Sequence, residues 1–241
     1  MEMTLEKILQ GQGFGTRRQC RDLVWDGAVE IGGRVCENPI ERISTDGLVF
    51  TVDGKAWQYR EHLYLMMHKP EGYECSHEPQ HHASVFALVP WQFLNRNLQC
   101  VGRLDQDTTG LLLLSDDGQF IHRYTSPKKH VPKVYRIALA EAVTDAQVSA
   151  LESGVQLHQE KNISRALSCQ QLGIDSLEMT IDEGRYHQVK RMVAAAGNRV
   201  VGLHRSTIGG LSLPEDLEAG QWRHLTEEDL QKLAGLPASQ D

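Results

Sequence analysis

Gly102-Arg103-Leu104-Asp105-Gln106-Asp107-Thr108-Thr109-Gly110-Leu111-Leu112-Leu113-Leu114 is a polar loop that runs without a break into an apolar strand. The loop holds two carboxylates, one arginine and two threonines. The four leucines that follow are far too few to span a bilayer and suit a buried strand. A loop held by a rigid strand is a common carrier of reacting groups. An Asp beside an Arg stays ionised at neutral pH, as a nucleophile or base must. The same Asp-Thr-Thr-Gly run also suits a self-bonded turn, so these residues by themselves leave a catalytic and a structural reading open.

Outward from this stretch, Leu63 to Met67 reads as a second buried strand, stopped by Pro70. Asp116-Asp117-Gly118 reads as a turn rather than a pair of acid–base carboxylates. Val134 to Ala140 alternates as a strand does, and Leu177, Met179 and Ile181 share one face of another. Thr144-Asp145-Ala146-Gln147 caps a helix ending near Gly154, Tyr186 to Ala196 forms a basic helix ended by Gly197, and Thr226 caps a last short helix. Strands follow one another with few crossover helices. The expected fold class is therefore α+β, with a mainly antiparallel mixed sheet flanked by helices over residues 63–234. Residues 1–59 read as a smaller α/β domain: Thr16-Arg17-Arg18-Gln19 has the form of a capping box, and Gly32-Gly33 and Asp53-Gly54 suit hairpin turns. Gln58 to His62 is the expected linker and 235–241 a flexible tail.

Composition narrows the function classes. A hydrophobic fraction of 40% and a charged fraction of 24% are ordinary for a globular chain, and no apolar run is long enough for a membrane helix. The N-terminus lacks the charge pattern of a signal peptide. The five cysteines are scattered, odd in number and never form Cys-x-x-Cys, which fits a reducing, cytoplasmic setting. Net charge is −7, yet the positive residues are concentrated. Gly118 to Ala140 holds Arg123, Lys128, Lys129, Lys133 and Arg136 with no acid, and Gly184 to Pro214 holds Arg185, Lys190, Arg191, Arg199 and Arg205 with none. Phosphate binding needs a local positive field, not a positive total. Cys75-Ser76-His77-Glu78-Pro79-Gln80-His81-His82 fits no standard zinc spacing and reads as an exposed loop. The four tryptophans are widely separated and read as packing residues.

Gly102 to Leu114 closely resembles the signature of the RsuA-like pseudouridine synthases, and three further stretches extend the likeness in order. His68-Lys69-Pro70-Glu71-Gly72-Tyr73 is similar to the family's Lys-Pro-x-Gly motif, and Lys133-Val134-Tyr135 to its Lys-x-Tyr motif. Glu183-Gly184-Arg185-Tyr186-His187-Gln188-Val189-Lys190-Arg191-Met192 is similar to its third motif, followed by Gly209-Gly210-Leu211. Residues 1–59 resemble an S4 RNA-binding domain, with Thr16-Arg17-Arg18 in place of its Ser-Arg-Arg.

The resemblance implies an enzyme that isomerises a uridine of ribosomal RNA to pseudouridine with no metal or other cofactor. It implies Asp105 as the catalytic carboxylate, as nucleophile or as base toward the ribose 2′ proton. Tyr135 lies against the target base, and Lys190 is the basic partner that holds Asp105 ionised. The base must leave the RNA stack to be reached. Expected phosphate contacts are Arg103, Lys69, Arg123, Lys128, Lys129, Lys133, Arg185 and Arg191, with Arg17 and Arg18 in the S4-like domain. The likeness is greatest to the branch that modifies uridine 516 of 16S rRNA, as free rRNA or a small-subunit assembly intermediate, by a monomeric enzyme. Sister branches act on 23S rRNA. A non-catalytic RNA-binding module and a carboxylate-dependent hydrolase are the other classes, separated from it by an Asp105 variant and by release of free uracil.

Overall fold

Leu111 to Leu114 are fully buried near the middle of a nine-stranded mixed sheet in the computed structural model, which describes residues 1–235. The main path of that sheet runs Ser168–Gly173, Ser176–Ile181, Lys133–Leu139, Val200–Ile208, Thr108–Ser115, Tyr64–Lys69, Trp222–His224. Every pairing along it is antiparallel except the central one, where Thr108–Ser115 runs parallel to Val200–Ile208. A strand covered on both faces is apolar on both, which is why four leucines stand in a row instead of alternating. Met66, Leu111 and Leu113 on one face join a core with Val101, Ile208, Leu217 and Leu233.

The parallel pairing depends on Gly110. Its φ is 107°, and a Cβ there would lie 2.2 Å from the Arg205 carbonyl oxygen. Gly110→Ala is therefore expected to destabilise the protein by on the order of 3 kcal/mol, from backbone strain and overpacking together. Urea unfolding checks this: a change under about 0.5 kcal/mol would mean the strands separate at no cost.

Helix ends follow the local sequence. Thr16 with Gln19 and Thr144 with Gln147 form complete capping boxes at Arg17–Trp25 and Asp145–Ser153. Thr226 with Asp229 does the same for Glu227–Leu233. Asp116-Asp117-Gly118 differs from the expected turn. Asp117 accepts the Gln119 N–H and starts a helix, Gly118–Thr125, so it acts as an N-cap. The helix Leu5–Gly11 and the strand Val200–Ile208 also lie outside the elements expected from periodicity.

The chain divides into two compact units. One comprises Met1–Leu63 with Val89–Gln99, the other Tyr64–Leu88 with the chain from Cys100 onward. The expected boundary is corrected in two ways: the first unit runs past 59 to Leu63, and a segment inside 63–234 folds with it. The cause is local packing. Gly13 has no side chain, and a Cβ on it would lie 1.9 Å from the Gln92 carbonyl oxygen. Asn95 Nδ2 donates to the Gly13 carbonyl at 2.8 Å, and Phe93 meets Trp57 edge-on at 6.4 Å. The first unit's own core gathers Leu5, Ile8, Leu9, Val24, Val29 and Phe50. The expected tail, apart from Gly235, lies outside the described residues. Among the described residues no helix is long and apolar enough to cross a membrane.

Candidate functional site

Asp105 sits where the polar loop turns into the central strand. Its carbonyl oxygen accepts the Thr108 N–H at 3.1 Å, which closes the loop into a tight turn. The loop is gripped from below by Lys69, which is fully buried. Lys69 Nζ donates to the carbonyl oxygens of Thr108 (2.9 Å), Pro70 (3.0 Å) and Gln106 (3.2 Å). Gly72 N–H adds a bond to the Gln106 carbonyl at 2.8 Å. Burial pushes the Lys69 ammonium below its ordinary pKa, against the opposing pull of Cys75, Asp107 and Asp105. A buried cation persists only where oxygens surround it. Lys69 is therefore a clamp on the loop backbone and not the phosphate contact expected of it, because no RNA can reach it.

The partner of Asp105 comes from the other side of the sheet path. Helix Gln188–Ala195 brings Lys190 so that Nζ bonds Asp105 Oδ2 at 2.9 Å and Asp107 Oδ1 at 2.6 Å. Burial lowers the Lys190 pKa, but the bonds and charges of Asp107 and Asp105 outweigh it and leave the ammonium above its ordinary value. Burial likewise raises the Asp107 carboxyl, and Lys190 more than offsets this. His187 precedes the helix with a left-handed φ of 48° and places Nε2 3.2 Å from Asp105 Oδ1. Asp105 thus has Lys190 bonded at Oδ2 and the His187 ring beside Oδ1. Gln188 braces the turn, accepting Arg185 N–H at 3.0 Å and donating to Glu183 at 2.7 Å.

Asp105, Tyr135 and Lys190, separated by up to 85 positions in sequence, line one cavity of about 160 Å³. Tyr135 is 8% exposed and pairs across the sheet with Met179 on one side and Arg205 on the other. Arg103 lines the same cavity, and its side chain is exposed, as are those of Arg123, Lys128, Lys129 and Arg18.

Three other expected contacts are committed to carboxylates within the protein, and a fourth, Lys133, has only a backbone carbonyl among the described residues. Arg185 pairs with Glu183 (3.0 Å) and Glu160 (3.6 Å). Arg191 pairs with Glu160 (3.1 Å) and donates to the His158 carbonyl at 2.6 Å. Arg17 bonds the enclosed Glu6, which also pairs with Arg21. The two guanidiniums hold the Glu6 carboxyl at about 2. Lys133 is half-buried, donates to the Val131 carbonyl at 2.7 Å and lines the cavity. Burial and the Arg205 charge bring its pKa down to about 8.

His187, Thr108 and Arg205 were not singled out as site residues from sequence, though all three line the cavity. A signal for Arg205 was present: it falls at the core phase of a strand, two residues after buried Leu203, where a charge is out of place. Among the described residues no three His, Cys, Asp or Glu side chains are arranged to hold a metal ion.

Comparison with known proteins bears on the whole chain. Residues 63–195 match the family model described as RNA pseudouridylate synthase. A ribosomal small subunit pseudouridine synthase A of Haemophilus influenzae is 38% identical over 231 residues, covering 96% of this chain and 99% of that protein. The Escherichia coli protein of the same name is 38% identical over 232 residues, covering 95% and 98%. A solved structure described as a pseudouridylate synthase superposes with a TM-score of 0.68 at 38% identity, covering 96% of this chain and 99% of that one.

Proposed function

Since the chain belongs to the RNA pseudouridylate synthase family, we propose that it isomerises one uridine of small-subunit ribosomal RNA, uridine 516 of 16S rRNA. The observation that carries this is Asp105 bonded by Lys190 in a cavity that also presents Tyr135. The names and near full-length coverage of the similar proteins support the small-subunit target. The reaction breaks the bond from uracil N1 to ribose C1′, turns the base and joins C5 to C1′, with the C5 proton moving to solvent and N1 gaining one. Asp105 acts on the sugar, as nucleophile at C1′ or as base toward the 2′ proton, and Lys190 pairs with it and orients it. Tyr135 supplies a face for the flipped base. Arg103, Arg123, Lys128 and Lys129 meet RNA phosphates, and the N-terminal unit, S4-like, docks RNA through Arg18. The protein works in the cytoplasm as a monomer on free 16S rRNA or an assembly intermediate.

Pseudouridine mapping on 16S and 23S transcripts, free and partly assembled, tests the reading. One new site in 16S rRNA is the expected result. A site only in 23S rRNA would reassign the target, and release of free uracil would replace isomerisation with hydrolysis.

Lys133 adds a pH signature of two signs. With a pKa of about 8, its charge is lost as pH rises from 7 to 9, so RNA affinity is expected to fall over that range. Lys133→Met should flatten the dependence. Stability moves the other way: between about 8 and the ordinary 10.5 the unfolded chain binds more protons, so this group's contribution to stability rises with pH. Binding and unfolding titrations at pH 7, 8 and 9 read both, and a wild-type binding profile matching that of Lys133→Met would refute the assignment.

A further inference from the structure

Two polar side chains of the cavity end without a partner. Thr108 is 1% exposed and Arg205 3%, yet the Thr108 hydroxyl and Arg205 Nη2 make no hydrogen bond. Buried polar groups are nearly always paired, so an unpaired one calls for an explanation. Both residues line the cavity that holds Asp105 and Tyr135. The pleat places them together. Arg205 pairs with Gly110 on one side and Tyr135 on the other, while Thr108 pairs with Leu203, two residues before Arg205. Residues two apart share a face, so Thr108, Arg205 and Tyr135 point the same way. Thr109 points to the opposite face, where its hydroxyl meets His204 Nδ1 at 2.9 Å.

Each of the two is also anchored at its root. Thr108 N–H bonds Asp105 O at 3.1 Å, its carbonyl accepts from Lys69 at 2.9 Å, and Arg205 Nε donates to Leu111 O at 2.9 Å. The unpaired atoms are therefore fixed in place, close to the turn that carries Asp105.

We infer that Thr108 and Arg205 read the flipped base, Thr108 Oγ1 accepting the N3–H of uracil and Arg205 Nη2 donating to its O4. The inference rests on the synthase reading of this cavity and adds to it the group that selects the base. Uracil satisfies both orphans at once. Cytosine carries an amine at position 4, and a guanidinium has donors only, so two N–H groups would face each other. The Thr108 hydroxyl can turn to donate to cytosine N3, which makes Arg205 the discriminating member. A site built to hydrogen-bond one ligand rejects the analogue that leaves its buried groups unpaired.

Titration of the full-length protein with uridine and cytidine 5′-monophosphates tests this without requiring turnover. Wild type is expected to bind the uridine nucleotide ~10-fold or more tightly than the cytidine one. Thr108→Val keeps the shape and breaks no existing bond, so it should fold normally, with an unchanged thermal midpoint. It should lose ~5-fold or more of the uridine nucleotide affinity, and Thr108→Ser should restore it. The 4-thiouridine nucleotide, whose sulfur accepts poorly, probes Arg205 without touching the protein and should bind several-fold more weakly than its oxygen parent. Equal binding of the uridine and cytidine nucleotides by wild type, or unchanged affinity in Thr108→Val, would overturn the inference, and undiminished 4-thiouridine binding would remove Arg205 from it. Pseudouridine formation in 16S and 23S rRNA is scored separately. Its absence would sink the synthase reading, while the titration would still decide whether the cavity reads uracil.

Discussion

Asp105→Asn is expected to lower pseudouridine formation by ~10⁴-fold or more while the protein still binds RNA. Asparagine matches the side chain in size but can neither attack C1′ nor take a proton. The variant should fold, because Lys190 keeps its bond to Asp107 at 2.6 Å and is not left as an unpaired buried charge. RNA affinity should stay within about threefold of wild type or tighten, since one negative charge has left a site that faces phosphates. Single-turnover kinetics with enzyme in excess, alongside filter binding, separate the two quantities. Conversion within tenfold of the wild-type rate would show that Asp105 is not the reacting carboxylate. Loss of both binding and turnover, with a lowered thermal midpoint, would mean that the site had collapsed instead.

Lys69→Met is expected to reduce the single-turnover rate by ~10²-fold with little effect on RNA affinity, the penalty of moving a reacting group by about an ångström. The ammonium joins Pro70, Gln106 and Thr108 through their carbonyl oxygens, so it fixes the backbone on both sides of Asp107 and three residues past Asp105. Methionine fills the stem's volume and supplies no donor. The Gly72 bond to Gln106 then remains to hold the loop. Removing hydrogen bonds that a buried cation made to backbone should also cost ~2 kcal/mol or more of stability, so rates must be measured well below the new midpoint. A phosphate contact would behave differently. Its loss would weaken RNA binding and reduce the salt slope by about one, with the rate at saturation unchanged. That pattern would overturn the clamp assignment.

Much of the fold follows from local rules that need only neighbouring residues. Thr16 with Gln19, Thr144 with Gln147 and Thr226 with Asp229 start helices because side chain and backbone donor lie three residues apart. The run Leu111 to Leu114 declares a strand covered on both faces, and Leu177, Met179 and Ile181 declare one buried side. The likeness of four ordered stretches to one enzyme family pointed to Asp105, Tyr135 and Lys190, and all three line one cavity.

Chain order alone does not carry what depends on which strands become neighbours. The two central strands run parallel because Gly110 allows backbone contact with Arg205, two residues 95 positions apart. That pairing puts Thr108 and Arg205 on the face of Tyr135, which no window of sequence displays. Val89–Gln99 joins the first unit through Gly13, a contact invisible to a linear reading of domain boundaries. Charge is the clearest case. Lys69, Arg185, Arg191 and Arg17 read as cations free to meet phosphate, since a sequence shows the sign of a charge and not its partner. In the folded protein Lys69 meets carbonyl oxygens, and the three arginines meet Glu160, Glu183 and Glu6. The sequence by itself determined several of the elements, three helix starts and the kind of chemistry. The tertiary structure decided which charges remain available and which polar atoms stay unpaired, because hydrogen bonds and ion pairs act over a few ångströms of space, whatever the distance along the chain.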